Sequence, residues 1–408
     1  MDAAKVGAGD GAFVESDDAA WRREVQAIAA HFDGLDDPRS EINLRHPLAS
    51  VLTIVVMAVL AGADGPTAIA RWAKIKSHFL RDLLDLPHGV PAKDVFRRVL
   101  CCLNPAAFQA CFATWLDNLR ARAASGDDVM RRLLNVDGKT SRRSHDRAKD
   151  LGPLHSVSVW AADERMTLAQ VACDEKSNEI TAIPEVLKLV PLEGAVVTID
   201  AIAAIDAMGT QTAIAAQIVD GGGDYVLSLK GNQETIHRAV EEHMDGAFEV
   251  DYAVEGARTH ATQEKGHGRK ETRMYVQMPV PADLPGAARW KGLRSVGAAM
   301  LVCERDGRET YETRYFLSSL PVDINLFARA VRGHWGIENT CHWSLDFTFR
   351  EDQSRVRDRR SRENLAWLNR FALSLLQQHP GRQSLVMKRR SCGWDERFLL
   401  EVLAGKTG

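Results

Sequence analysis

Residues 132–140 read RLLNVDGKT, and this stretch indicates how the middle of the chain folds. Apolar residues run up to Val136, Asp137 follows them, and Gly138 signals a turn. The stretch therefore predicts a buried strand that ends at a carboxylate. Two further runs, HSVSVWAAD at 155–163 and MTLAQVACD at 166–174, have the same character and predict the next two strands.

Helical and strand patterns alternate after these three strands. TAIPEVLKLV at 181–190 and AMGTQTAIAAQIVD at 207–220 predict helices, whereas GAVVTID at 194–200 and GDYVLSLK at 223–230 predict buried strands. This order predicts an α/β fold with a mixed sheet. Residues 240–320 form a second strand-rich block, in which Asp306-Gly307 suits a tight hairpin turn.

The remaining segments suggest the domain organisation. Residues 1–15 predict a disordered tail, and apolar residues at helical spacing predict an all-helical N-terminal domain over 16–125. The α/β domain then spans 130–350, and a helical C-terminal tail spans 351–408.

Composition limits the class of protein. The chain has 408 residues, of which 45% are hydrophobic and 26% charged, as in a soluble globular protein of two or three domains. Its seven cysteines form no CxxC pair, which favours a reducing compartment and disfavours a structural zinc site. No signal peptide is visible, and the apolar run 48–63 is shorter than the roughly 20 residues that span a bilayer. We therefore expect a cytoplasmic protein without a membrane segment.

Two basic segments stand out in a chain whose net charge is −3. One covers 131–149 and the other covers 350–362, and each is rich in arginine. Such clusters are compatible with DNA contact or with a solvated surface. They lie beside the acidic residues described next, which favours DNA.

Two aspartates follow predicted strands, Asp137 after RLLNV and Asp200 after GAVVTI. An aspartate often leaves a strand into a turn for structural reasons alone. Magnesium, however, prefers oxygen ligands that come from separate elements, and two such ions can promote phosphoryl transfer. A third carboxylate, Glu338, lies in a predicted helix and completes a candidate set.

The helix around Glu338 reads HWGIENTCHWSLD at 334–346. His334, Glu338, His342 and Asp346 recur at every fourth position, which places them along one stripe of a helix. A zinc site within the stripe is the competing interpretation, but the HExxH pattern is missing and an α-helix rotates such residues apart by about 40° per step. We expect Trp335 and Trp343, beside the stripe, to pack in the core.

The motifs together resemble those of one family. NVDGKTSRRS, VVTIDA, DAMGTQ, GDYVLSLKGNQ, HGRKETR, YFLSSL and HWGIENTCHWSLDFTFRED occur in that order. They resemble bacterial insertion-sequence transposases of the DDE type, in the branch that includes the H-repeat-associated proteins. The resemblance extends from about residue 30 to 375, and the helical region is similar to the N-terminal domain of that branch.

The resemblance implies an RNase H-like core, with a mixed five-stranded sheet and a β-rich insertion at about 240–320. It implies Asp137, Asp200 and Glu338 as catalytic residues and as ligands of Mg²⁺ or Mn²⁺, with two ions. It also implies DNA partners, namely the terminal inverted repeats and the target, and a homodimer that pairs two DNA ends. The residues for which we predict DNA contact are basic or lie on the stripe: Lys139, Arg142, Arg143, Lys230, His334 and His342.

One segment departs from the family pattern, which is TIDAMG. This chain reads TIDAIAAIDAMG, so Asp206 is an alternative to Asp200 as the second acid. The strand before Asp200 already has normal length, which favours Asp200. Because a small misplacement of a catalytic group can abolish activity, three functions remain open. They are an active transposase, an inactive DNA-binding relic, and an RNase H-like nuclease without strand transfer.

Overall fold

A computed structural model describes residues 17–40, 44–117, 131–173, 179–200, 208–266 and 268–405. The predicted disordered tail, the linker near 125 and Asp206 lie outside these ranges. In the described part of the chain up to residue 117, all regular secondary structure is helical. The helices are α1 (Asp17–Ala30), α2 (Leu48–Leu60), α3 (Pro66–Ile75), α4 (Ser77–Leu83), α5 (Lys93–Cys102) and α6 (Pro105–Cys111).

Nine strands follow and form one sheet. They are β1 (Leu133–Ser141), β2 (Leu154–Ala161), β3 (Met166–Cys173), β4 (Val196–Ile199), β5 (Asp224–Leu229), β6 (Arg258–Gly266), β7 (Arg269–Pro279), β8 (Ser295–Arg305) and β9 (Arg308–Ser318). Their order in the sheet is β3-β2-β1-β4-β5-β9-β8-β7-β6. Strands β1, β4 and β5 are parallel to one another, and the other neighbouring pairs are antiparallel. The predicted mixed α/β class is therefore confirmed.

The sheet has nine strands instead of the predicted five, because the β-rich block is not separate from it. Strand β9 pairs with β5 from Val226↔Ser318 to Leu229↔Tyr315, which adds four strands to the same sheet. The half of β9 next to β5 is buried, whereas its first six residues are exposed. Strand β9 is thus buried where it joins the sheet and exposed at its other end. The predicted hairpin turn is confirmed, since Asp306 and Gly307 both have positive φ.

The helices of the second half cover the sheet and extend beyond it. They are α7 (Glu179–Leu187), α8 (Met208–Asp220), α9 (Glu234–Glu249), α10 (Ile324–Gly336), α11 (Trp343–Phe347), α12 (Arg359–Gln378), α13 (Leu385–Trp394) and α14 (Glu396–Leu403). A π-helical segment, Ile337–His342, joins α10 to α11. One face of the sheet packs on α7 and α8, and the other packs on α10.

The last helices pack against the first ones. A single hydrophobic cluster contains α2 from its first residue to its last, Phe108, Phe112 and much of α12, together with Ile337 and Leu345 beside the π-helical segment. The predicted C-terminal tail is therefore a central part of this packing. Where the domains divide stays a prediction.

A buried ion pair connects α12 to the sheet. Arg370 is 0% exposed and Glu351 is 3% exposed, and Arg370 Nη1 lies 3.4 Å from both carboxylate oxygens of Glu351. Ser141 at the end of β1 donates a hydrogen bond to Glu351 Oε1 (2.9 Å), and Arg370 Nη2 donates one to Ser156 of β2 (3.2 Å). A buried pair costs desolvation energy, and these two hydrogen bonds offset part of it; Arg370 Nε has no hydrogen-bond partner among the described residues.

In the described ranges, no single helix has both the length and the apolar character needed to cross a membrane. The consecutive helices Lys93–Cys102 and Pro105–Asp117 meet that test only as a pair, and they are bent by 103°.

We expect Arg370→Met to lower the free energy of unfolding by about 3–5 kcal/mol, because it leaves the Glu351 carboxylate buried without its cation. The double substitution Arg370→Met with Glu351→Gln should recover part of this loss. Urea denaturation of both variants measures the effect, with the exposed Arg357→Met as the matched control. Equal losses in the single and double variants would contradict this explanation.

Candidate active site

The register of β1 and β4 places two carboxylates side by side. The last parallel pair is Val136↔Ile199, so Asp137 and Asp200 are the next residue on each strand. Neighbouring strands lie about 4.8 Å apart, and residues in register project from the same face. Both aspartates therefore lie on one face of the sheet.

The same face carries α10. Leu133 and Val196, which precede the two aspartates by four residues, pack in one cluster with Phe327 and Val331 of that helix. Because side chains alternate along a strand, residues four positions apart share a face. Helix α10 and the π-helical segment after it thus run along the side of the sheet on which the aspartates lie.

A layer of buried hydrogen bonds supports the aspartates from below. Asn135 Nδ2 donates to the carbonyl of Gly333 (2.5 Å) and Thr198 Oγ1 donates to Asn135 Oδ1 (2.9 Å). Thr198 Oγ1 also lies 2.9 Å from His334 Nδ1. A hydroxyl has one proton, so if Thr198 donates to Asn135 it accepts from His334. This layer joins β1, β4 and α10 directly beneath Asp137 and Asp200.

His334 is neutral in this layer. Burial lowers its pKa to about 4, against the opposing effect of the Asp200 charge, while Arg314 and Lys230 lower it further. With its proton on Nδ1, its Nε2 is an acceptor, and that buried atom has no hydrogen-bond partner among the described residues. The ring is a buried member of this hydrogen-bonded layer. Its DNA contact stays a prediction, which its burial does not favour.

The helix that carries Glu338 is π-helical from Ile337 to His342, not α-helical as the spacing suggests. In an α-helix a step of four residues exceeds one turn by about 40°. A π-helical turn contains more residues, so the same step falls short of a turn and offsets that rotation. The wide turn keeps the stripe from His334 to Asp346 on one side. Such segments often occur at functional sites.

Asp137 is surrounded by acidic groups. Burial raises its pKa to about 7; a hydrogen bond from its neighbour Gly138 (2.8 Å) opposes this, and the charges of Glu338, Glu179 and Asp200 reinforce it. The charges of the other two predicted catalytic acids thus both act on Asp137. The site is partly open, since the side chains of Asp137 and Asp200 are each 25% exposed and Glu338 is exposed.

His342 lies against Asp137. Its Nδ1 is 3.5 Å from Asp137 Oδ2, and burial together with the Arg370 charge lowers its pKa to about 3. Its Nε2 is buried without a hydrogen-bond partner in the described structure. The ring is thus a neutral neighbour of the carboxylate. Its predicted DNA contact, like that of His334, is not favoured by this placement.

The predicted DNA contact Lys139 is engaged elsewhere. Its side chain is only 7% exposed, and Nζ lies 2.7 and 2.8 Å from the two oxygens of Asp346 and 3.9 Å from Asp352. It therefore ties β1 to α11, just beyond Glu338. Arg142 and Arg143 are exposed, and Arg142 pairs with Asp352 at 3.3 Å.

Two cations lie beside Asp200. Lys230 Nζ and Arg314 Nη1 are each 3.7 Å from Asp200 Oδ2. Lys230 directly follows β5, as expected from the sequence. Arg314 comes from β9 in the β-rich block, and sequence reasoning missed it. It directly precedes the motif YFLSSL, and only the pairing of β9 with β5 brings it to this site.

Glu179 was also missed. It lies in the first turn of α7, and its Oε1 is 2.7 Å from His155 Nε2 of β2. A side chain at Gly138 would meet both groups, which explains the glycine after Asp137. No spacing signal in the sequence relates Glu179 to Asp137, because the contact depends on how α7 packs over the sheet.

Trp343 does not pack in the core as expected. It is 56% exposed, and its ring stacks on that of the exposed Phe347, with the centroids 4.7 Å apart. Trp335 is partly buried, with the guanidinium groups of Arg273 and Arg314 over its ring at 5.6 and 5.3 Å.

The donor chemistry of the site suits a hard cation. Asp137, Asp200 and Glu338 offer carboxylate oxygens from separate elements, as Mg²⁺ prefers. The described residues contain no group of three or more ligands that is already arranged around a metal position. The pKa of Asp137 is raised by burial first and by the neighbouring carboxylates second, and a cation there would stabilise its ionised form.

Comparison with known proteins identifies two regions of the chain. Residues 127–375 match the family model described as "Transposase DDE domain", and residues 29–116 match the one described as "DDE_Tnp_1-associated". The chain is 32% identical over 393 residues to the "H repeat-associated putative transposase YhhI" of Escherichia coli (strain K12), which covers 94% of this chain and 99% of that protein. It is 33% identical over 385 residues to the "Putative transposase YncI" of Escherichia coli O157:H7, covering 93% and 95% respectively. An "uncharacterized protein in dhlA 3'region" of Xanthobacter autotrophicus is 39% identical over 293 residues, 72% of this chain and 94% of that protein.

We expect Asp137→Asn to stabilise the metal-free protein at high pH. The folded pKa of Asp137, about 7, exceeds the ordinary aspartate value of 3.8, so ionisation costs folding energy increasingly as pH rises from about 4 to 7. The isosteric amide removes this cost. Thermal unfolding in a chelator should show a gain in Tm at pH 8 that shrinks towards pH 4. Asp283→Asn, at an exposed turn, is the control and should show no such pH-dependent gain.

Proposed function

This chain belongs to the family of DDE-domain insertion-sequence transposases, and on that premise we propose that it cuts and rejoins DNA. It binds the terminal inverted repeats of its own element, hydrolyses a phosphodiester at each end, and joins the freed 3′-hydroxyl ends to target DNA. The two reactions use one site, because both are in-line displacements at phosphorus.

One observation carries this proposal. Asp200 and Glu338, which are far from Asp137 in the sequence, lie close enough for their charges to affect its pKa. Asp200 lies beside Asp137 through the parallel register of β1 and β4, and the charge of Glu338 on the neighbouring helix adds to the effect of burial in raising the pKa of Asp137. Acids collected in this way from two strands and a helix are suited to metal-dependent phosphoryl transfer.

The sheet order supports an RNase H-like core. The first five strands follow the order β3-β2-β1-β4-β5, in which the first and fourth strands are adjacent and parallel. The late helix that carries Glu338 packs over these two strands. In this proposal, β6 to β9 are an insertion that extends the sheet of the core.

Asp137, Asp200 and Glu338 would hold Mg²⁺ or Mn²⁺, as two ions. Bound there, the cations would supply activation of the attacking oxygen and neutralisation of charge on the phosphate. The protein's own part is to fix the carboxylates. The Asn135–Thr198–His334 layer holds the two strand acids, and the Lys139–Asp346 pair holds the helix of Glu338 against β1.

Each of the two reactions exchanges one P–O bond for another, and neither forms a covalent bond between the enzyme and DNA. In the first step, a water oxygen bonds to phosphorus, the bond from phosphorus to the 3′ oxygen breaks, and that oxygen ends as a hydroxyl. In the second step, this hydroxyl attacks a target phosphodiester, with the same exchange of one P–O bond for another.

The DNA would follow the basic surface beside the acids. Arg142, Arg143 and Lys230 are exposed there and can neutralise phosphates. Two DNA ends must be brought together before joining, so we propose a homodimer. We place the reaction in the cytoplasm, which fits seven cysteines that are all free.

The first test substitutes the acids one at a time. Asp137→Asn, Asp200→Asn and Glu338→Gln should each reduce cleavage of a duplex that carries the element's end by at least about 1,000-fold, because each removes a ligand for the cations. Binding to the same duplex should persist, and Asp283→Asn should behave as wild type. Gel analysis of strand cleavage with Mg²⁺ or Mn²⁺ measures the rate.

The products distinguish the rival functions. An inactive relic would bind the duplex but leave it uncut in every variant. A nuclease without strand transfer would cut it and never join the 3′ end to target DNA.

A second test addresses the repeated segment. Because Asp200, by its register, is the partner of Asp137, Asp206→Asn should retain cleavage while Asp200→Asn loses it. The same cleavage measurement applies. The opposite result would assign the role to Asp206. If instead only a variant lacking residues 201–206 cuts the ends, the extra segment inactivates this chain.

A further inference from the structure

The β-rich block places the positively charged side chain of Arg314 beside the acidic site. Arg314 lies on β9 where this strand changes from exposed to buried, and its Nη1 is 3.7 Å from Asp200 Oδ2. This distance is longer than a hydrogen bond of 2.7–3.2 Å. The contact is therefore electrostatic, and the N–H groups of that nitrogen remain able to donate to another acceptor.

Neighbouring groups hold the Arg314 side chain in place. Its Nε donates to Glu312 Oε1 (2.7 Å), which is its only hydrogen bond among the described residues. Its guanidinium lies over the Trp335 ring at 5.3 Å, and Trp335 follows the buried His334 on α10. The planar group is thus oriented by β9 on one side and α10 on the other, with Nη1 on the side of Asp200.

A second cation lies directly opposite Arg314, at the end of the neighbouring strand β5. In the antiparallel register, Leu229 of β5 pairs with Tyr315 of β9, so the next residues, Lys230 and Arg314, are cross-strand neighbours. Lys230 has an extended backbone, and its Nζ lies 3.7 Å from the same oxygen of Asp200. Like charges placed directly opposite each other destabilise a sheet. Such a pair is favourable only where anions lie between them.

We propose that Arg314 and Lys230 form a binding site for a DNA phosphate beside Asp200, and that the scissile phosphodiester occupies it. This inference rests on the proposed function. Asp200 and Glu312 supply two negative charges against these two positive ones, so this edge is close to neutral, in contrast to the acidic surroundings of Asp137. A phosphodiester carries one negative charge and non-bridging oxygens that guanidinium donors bind well.

The placement of Arg314 and Lys230 beside Asp200 would help an acidic site to bind a negatively charged phosphate. Three carboxylates repel the phosphate that they must act on, and Arg314 with Lys230 offsets that repulsion at one side. Negative charge spreads over the equatorial oxygens during displacement at phosphorus, so preorganised donors stabilise the transition state more than the bound substrate. Arg314 stays protonated throughout and exchanges no bond.

The test combines two changes, one in the protein and one in the DNA. The probe is a duplex carrying the element's end, with either a normal phosphate or an uncharged methylphosphonate at the cleavage position. Fluorescence anisotropy in EDTA measures binding, so this arm is independent of catalysis. Wild type, Arg314→Ala, Arg314→Lys and Arg308→Ala are compared; Arg308 is an exposed residue at the outer end of the same strand.

With normal DNA, we expect Arg314→Ala to weaken binding or slow single-turnover cleavage by on the order of 10- to 100-fold, with a smaller loss for Arg314→Lys. Arg308→Ala should match wild type. The methylphosphonate should weaken the binding of wild type by clearly more than it weakens that of Arg314→Ala, because the variant has only the Lys230 contact left to lose. Equal losses from the methylphosphonate in both proteins would overturn the inference and leave Arg314 with a merely structural role.

The outcomes for the inference and for the function are separable. If wild type cuts the duplex and Arg314→Ala cuts it equally well, the phosphate site is refuted while the transposase function stands. Wild type that neither binds nor cuts the duplex would refute the proposed function, and this inference with it. Far-ultraviolet circular dichroism and Tm verify that each variant is folded.

Discussion

The parallel pairing of β1 with β4 is the constraint on which the rest of the site depends. A shift of one residue in this register would turn Asp137 or Asp200 to the opposite face of the sheet. The buried layer of Asn135, Thr198 and His334 makes such a shift costly, since it would leave polar groups without partners in the interior. The same layer determines where α10 lies, and therefore where Glu338 arrives.

The site also depends on parts of the chain that contribute none of its acids. Ser141 at the end of β1 bonds to Glu351, which pairs with the fully buried Arg370 of α12. That helix shares one hydrophobic cluster with the N-terminal helices and with Ile337, the residue before Glu338. The position of Glu338 is thus coupled to the packing of both ends of the chain. The π-helical turn at this point is the local adjustment that keeps the stripe facing the sheet.

The β-rich block has a role that its composition does not reveal. It continues the sheet from β5, and its β8–β9 hairpin is buried at the inner end and exposed at the outer end. At that inner end, Arg314 contacts both the ring of Trp335 and the charge of Asp200. The block therefore takes part in the electrostatics of the acidic centre, besides any surface that its outer half offers to DNA.

Sequence by itself determined much of this protein, because patterns of local hydrophobicity report local structure. The strand through Asp137, the strand that leads to Asp200, a helical segment at Glu338 and the Asp306-Gly307 turn were predictable, and the motif order identified the family. The predicted turn at Gly138 was wrong, because pairing with β2 continues β1 to Ser141. The tertiary structure decided the number of strands, the burial of Lys139, His334 and His342, the exposure of Trp343, and the arrival of Glu179 and Arg314. These features depend on contacts between residues that are distant in sequence. Spacing along one segment carries no information about which distant segment packs against it, or about how exposed to water its side chains remain after packing.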